Sequence, residues 1–209
     1  DYSGSYEMNV DLSGLLGMAM MFDSTATSEE DMFAEMRAGI EELGLEDQLG
    51  EMDGIDNVTA EIKDGGVIIW SFDFDNVSAL NASFQALNES FMSGDMLNMD
   101  GMEVTGQEDG EAAPLPSFTQ SGKTISHRTD YDLGDMGMEG LGGGDDEGMM
   151  DMFSSMMDYT IEFSFDRKLK DVELTGMDLI SRDDKMVRAR VDLMSAMKAK
   201  YYEIKVRLK

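Results

Sequence analysis

Closely spaced carboxylates are the first residues in this chain whose types suggest chemistry, and the chemistry would be calcium binding. Asp130, Asp132 and Asp135 open like the ligand loop of an EF-hand, and a hard cation needs several oxygens at such spacing. The pattern then stops: position five is Gly134 and position twelve is Leu141, where a bidentate carboxylate is needed. Asn98 and Asp100 repeat the middle of the motif, with Met96 first and Gln107 twelfth. The simpler reading is a solvated acidic loop, and a calcium-stabilised secreted module is kept as the alternative.

Methionine is the second unusual residue type, at 22 of 209 positions. Met136, Met138, Met149, Met150, Met152, Met156 and Met157 are dense enough to raise Cu(I), a soft ion that thioethers suit. Methionine is nevertheless spread along the whole chain, including apolar stripes, so filling a core or an interface is the preferred account. The single histidine, His127, stands on an alternating run with Ile125 and Tyr131 and reads as a structural imidazole. Carboxylates are too numerous for spacing to single out an acid–base pair. There is no GxGxxG, P-loop or GxSxG motif, and the Gly142–Gly144 run is followed by acids that would repel a phosphate. No catalytic set is read from the sequence, and the expectation is a non-enzyme without a cofactor, calcium excepted.

Basic residues are scarce and gathered late. Residues 1–159 carry four Lys/Arg against 35 Asp/Glu, and residues 160–209 carry twelve against nine. Arg188 and Arg190 share one face of a strand, and Lys205, Arg207 and Lys209 share a face of another. If those strands pair, Arg188, Arg190, Lys205 and Arg207 make a basic stripe on an acidic body. Cross-strand pairing with the protein's own acids is the plainer use of such a stripe; docking an acidic partner or lipid headgroups is the sharper one.

These groups must be positioned by elements that periodicity reveals. Tyr6, Met8 and Val10 alternate in a first strand from Gly4 to Asp11. Short helices are expected from Ser13 to Phe22, from Ser28 to Leu43 (ending at Gly44) and from Met149 to Met157. Val58, Ala60 and Ile62, a Gly65-Gly66 turn, then Ile68, Trp70, Phe72 and Phe74 form a hairpin. Val77, Leu80, Phe84, Leu87 and Phe91 follow at helical spacing. A second hairpin turns at Ser121-Gly122. Tyr159 to Phe165 is a clear strand, and Leu169, Val172 and Leu174 continue in extended form. Val187 to Val191 is another strand, Asp192 caps a short helix, and Tyr202 to Leu208 ends the chain as a strand. The expected class is α+β: a mainly antiparallel sheet with several helices packed on it, in one domain over residues 1–209. Acidic Gly/Met-rich stretches at about 95–113 and 132–148 are read as flexible loops inside it.

The totals bound the partners. Net charge is −28, which excludes nucleic acid and disfavours a bare anionic membrane. No cysteine is present, so disulfides, zinc–thiolate sites and thiol nucleophiles are excluded for these residues. No apolar run reaches the roughly 20 residues that a spanning helix needs.

Three stretches resemble the LppM-type bacterial surface lipoproteins and related lipoproteins of Bacteroidota. They are Tyr6–Asp11; Val67–Phe74 with the helix of Leu80, Phe84 and Leu87; and Tyr159–Arg167 with Ser181–Val187 and Tyr202–Leu208. Where such relatives often carry Pro, this chain has Asp166. The resemblance implies an exported outer-membrane lipoprotein, a domain held at the cell surface by a lipidated Cys directly before Asp1. It carries over no established enzymatic site, and the role expected for the chain is binding or scaffolding in an envelope protein complex.

Overall fold

The computed structural model describes residues 2–11, 13–14, 34, 37–38, 44–63, 65–92, 117–130, 158–192, 195–196 and 199–209. In chain order the elements are β1 (Gly4–Asp11), α1 (Leu45–Gly50), β2 (Ile55–Lys63), β3 (Val67–Phe74), α2 (Val77–Met92), β4 (Ser117–Ser121) and β5 (Thr124–Asp130). They continue with β6 (Asp158–Phe165), β7 (Leu169–Thr175), β8 (Met177–Arg182), β9 (Met186–Val191) and β10 (Tyr201–Leu208). Six strands form one sheet in the order β2-β3-β1-β6-β9-β8, and four form a second in the order β4-β5-β10-β7. Every pairing is antiparallel.

The alternating residues explain why two sheets face one another. Tyr6 and Met8 on β1, Ile68, Trp70, Phe72 and Phe74 on β3, and Ile161, Phe163 and Phe165 on β6 are all buried. From the other sheet, Phe118, Ile125, Tyr202, Ile204, Val206 and Leu208 turn inward and join the same apolar cluster. Aromatic rings close the gap between sheets: Tyr6 meets Phe118 edge-on at 6.3 Å and Phe118 meets Phe163 at 5.8 Å. Edge-to-face arrangements of this kind suit the ring quadrupole and add to the area buried.

The α+β expectation is therefore overturned. Ten strands in two sheets build this core, and among the described residues only two short helices attend it, so the fold is all-β in character. Period-two spacing identifies strands but is silent on how many sheets they join. β8 escaped notice because its outward Leu179 and Ile180 are apolar yet exposed, which hides the alternation. α1 was also missed: Gly44, expected to end a helix, stands at φ 57 as the residue before one. The expected helices at 13–22, 28–43 and 149–157 fall outside the described residues, save isolated positions, as do the acidic stretches at 95–113 and 132–148.

α2 follows the first part of its expected stripe, with Val77, Leu80 and Phe84 buried, while the side chains of Leu87 and Phe91 fall outside the described ones. Asn76 starts it by accepting the Ala79 N–H at 3.0 Å, the usual action of an N-cap. Phe84 reaches into both sheets, meeting Tyr6 at 5.0 Å and Phe118 at 4.9 Å. α2 thus packs along the sandwich where β3 and β4 belong to different layers.

Three of the four edge strands are irregular. Register slips occur in β2 between Asp56 and Thr59, in β8 between Leu179 and Ser181, and opposite β7 at the Arg207–Leu208 step. Bulges bend an edge away from further pairing, so these irregularities protect the sheet margins from foreign strands.

Candidate functional site

The basic residues expected to form one stripe are divided between two sheets by this fold. β9 pairs with β6 and β8 in the six-stranded sheet, whereas β10 pairs with β5 and β7 in the four-stranded one. The condition for a single stripe of Arg188, Arg190, Lys205 and Arg207 is not met. Arg188 stands across from Glu162, and Arg190 lies between Thr160 and Asp178 in register. Partial burial raises the Glu162 carboxyl, Glu7 raises it further, and Arg188 draws it back down. That half of the stripe faces the protein's own acids.

Asp130 sits at the end of β5 and binds Arg128, whose Nε lies 2.9 Å and Nη2 2.5 Å from Oδ1. The same guanidinium covers the Tyr201 ring at 4.0 Å, so it is held from two sides. Asp132 and Asp135, the other proposed calcium ligands, lie outside the described residues, as do all seven clustered methionines. Among the described residues no group of three metal-ligating side chains comes together.

His127 is buried between the sheets at 1% exposure. Its ring stacks on Phe118 at 4.3 Å and meets Tyr202 and Phe163 edge-on at 5.6 and 6.0 Å. Neither ring nitrogen has a hydrogen-bond partner among the described residues. Burial without compensation penalises the charged form and lowers its pKa from 6.5 to about 3. Burial also raises the Tyr6 phenol well above its ordinary value, with Tyr202 adding to the shift. The imidazole is neutral and enclosed, and among the described residues its neighbours are the rings of Phe84, Phe118, Phe163 and Tyr202, so it packs as a heteroaromatic ring.

The outer face of the four-stranded sheet is different. Lys205 binds Glu203 through Nζ at 2.8 Å, and that contact raises the ammonium pKa. One register step on, Arg207 lies opposite Thr124 on β5 and Asp171 on β7. Beyond it the strands end around a cavity of about 430 Å³ lined by Lys123, Lys170, Arg207, Leu208 and Lys209. Among the described residues no Asp or Glu lines this cavity. A neighbouring hollow of about 220 Å³ is mixed, with Asp171, Glu173, Lys205, Arg207 and Thr124.

Local backbone chemistry places each of these cations. Gly122, at φ 59, makes the tight β4–β5 turn that presents Lys123. The Lys123 carbonyl then accepts the Leu208 N–H at 2.8 Å, fixing the hairpin tip to the end of β10. The Lys168 carbonyl accepts the Lys209 N–H at 2.9 Å from the other side. Lys170 owes its position to the β7 bulge. Arg207 pairs with Asp171 and Leu208 with Leu169, so Lys170 is the supernumerary residue. A regular ladder would put Lys170 opposite inward-facing Leu208; the bulge leaves Leu169 buried and Lys170 exposed.

Sequence reasoning found Lys205 and Arg207 in this region and noted Lys209, but missed Lys123 and Lys170. The signal for Lys170 was the three-residue step from Leu169 to Val172, which breaks the alternation of an otherwise regular strand. Nothing local marks Lys123, since it arrives by pairing of strands distant in sequence. The chain matches no known protein family, no curated protein and no solved structure in comparisons with each.

Proposed function

We propose that this chain is a non-catalytic binding domain whose working surface is the cation-lined end of the four-stranded sheet, and that it serves as an exported scaffolding subunit of a cell-envelope complex. The observation that carries the binding reading is the cluster of Lys123, Lys170, Arg207 and Lys209 around one cavity in a chain of net charge −28. Like charges held together cost free energy unless something opposite relieves them. Lys205, Arg128 and Lys168 are each relieved by a carboxylate, of Glu203, Asp130 and Asp184 respectively. Among the described residues none of the four cavity cations makes a direct ion pair, although Lys209 is close enough to Asp184 to lower its carboxyl and Arg207 lies opposite Asp171 in register.

The envelope setting is supported by the resemblance to surface lipoproteins and by the acidic exterior, which suits a salty medium where screening limits self-repulsion. No described helix is long and apolar enough to cross a membrane. In this setting a lipid group outside these residues would supply attachment.

Backbone amide NMR tests the binding surface. On titration with a panel of phosphate, sulfate, citrate and pyrophosphate, resonances of 122–126, 168–172 and 205–209 should shift together. Shifts confined to other parts of the chain, or none with any anion, would refute the reading. Radiolabelled fatty acid fed to cells making the full-length product tests the anchor, and absence of label removes the lipoprotein part alone.

A further inference from the structure

Resting on that binding reading, we infer that the cavity takes a small molecule bearing two adjacent phosphate groups. Three features select this class. The first is charge: a terminal phosphate carries about −1.5 to −2 near neutral pH and the phosphate joined to it adds about −1, so a diphosphate neutralises most of the charge of four cations. The second is shape. The half-open hollow, of about 430 Å³, falls within the roughly 300–1,000 Å³ typical of small-molecule sites. The third is the donor set. Arg207 offers a planar fork that matches two phosphate oxygens, and Lys123, Lys170 and Lys209 offer mobile point charges for the rest.

The surroundings argue for a compact anion over an extended one. Asp171 and Glu173 begin immediately beside the cavity, and Asp171 Oδ1 is engaged by the Val172 N–H at 3.0 Å. Asp184, held low by Lys168 and further by Lys209, stands on the other flank. A polyanion or an anionic bilayer would have to lie across these acids. A diphosphate confined to the cavity lies against Lys123, Lys170, Arg207, Leu208 and Lys209, and the Debye length of about 8 Å at physiological salt screens the more distant acids.

Calorimetric titration of the intact chain with pyrophosphate, orthophosphate and citrate provides the test. Pyrophosphate should bind at least about tenfold more tightly than the other two. Lys170→Gln and Arg207→Gln should each weaken it by about tenfold, while Lys63→Gln, on the other sheet, leaves it unchanged; unaltered near-UV circular dichroism confirms that each variant is folded. Phosphatidylcholine vesicles containing phosphatidic acid should neither bind nor compete. Equal affinity for citrate and pyrophosphate, both lost on Arg207→Gln, would overturn the diphosphate assignment and leave the anion site standing. Vesicle binding that depends on the same residues would make a lipid headgroup the ligand and overturn the assignment too. No binding of any anion would remove both readings.

Discussion

His127 and Phe118 lie face to face across the β4–β5 pairing, ring centroids 4.3 Å apart and planes 18° from parallel. The imidazole has no hydrogen bond to keep among the described residues, so a phenyl ring is its natural substitute. His127→Phe should therefore fold, and it should resist acid better than the wild type. The sign follows from linkage. The unfolded chain binds a proton at His127 below about pH 6.5, and the folded chain only near pH 3. The neutral imidazole's contribution is complete above pH 6.5 and is lost as pH falls towards 3. Each pH unit in that window is worth about 1.4 kcal/mol, so the variant should gain about 2–3 kcal/mol over wild type by pH 4.5. Carboxylate titration is common to both chains and cancels in the difference. Urea midpoints at pH 7 and 4.5 provide the measurement; parallel curves would contradict a buried neutral ring.

Asn81 on α2 should be a fastening point for the second sheet. Its side-chain amide donates to the Phe118 carbonyl at 2.7 Å and accepts the Phe118 N–H at 2.8 Å, reproducing the bonds a neighbouring strand would make. Asn81→Leu keeps the branched outline, though it is bulkier, and leaves both Phe118 main-chain groups without their Asn81 partner. It should cost about 1–3 kcal/mol in denaturant unfolding, and Asn81→Asp, which keeps the acceptor, should cost less.

Gly4 should tolerate no side chain. A Cβ there would lie 2.0 Å from the Ser164 carbonyl oxygen, inside the β1–β6 ladder at the centre of the larger sheet. The collision is with backbone, so relief requires the strands to separate. Gly4→Ala should destabilise by about 1–3 kcal/mol and lower the thermal midpoint. An unchanged midpoint would mean that the two strands do not approach so closely.

Strand positions were the most legible part of this chain. Tyr6, Phe72, Phe163 and Ile204 alternate with polar neighbours and all turn inward, because a half-buried strand can expose only every second residue. Partnership was not legible. Arg188 and Lys205 stand on similar alternating runs, yet belong to different sheets, and no local pattern records which strand a neighbour will be. Bulges were legible in retrospect. Ile55 to Val58 and Leu169 to Val172 are steps of three inside runs of two, and both coincide with register slips on edge strands. The cation cluster depends on such a slip and on a hairpin tip brought from far away in sequence, so spacing alone could not assemble it.

That dependence offers the most direct test. Removing Lys170 joins the Leu169–Leu208 and Arg207–Asp171 pairs into an uninterrupted ladder, so the sheet should survive while the cavity loses a cation and its bulged wall. Pyrophosphate should be titrated into the wild type and into the chain lacking Lys170, after matched unfolding curves confirm that both are folded. A loss of about tenfold or more in affinity is the expected result. Equal affinity in the two chains would contradict the assignment of function to this end of the sheet.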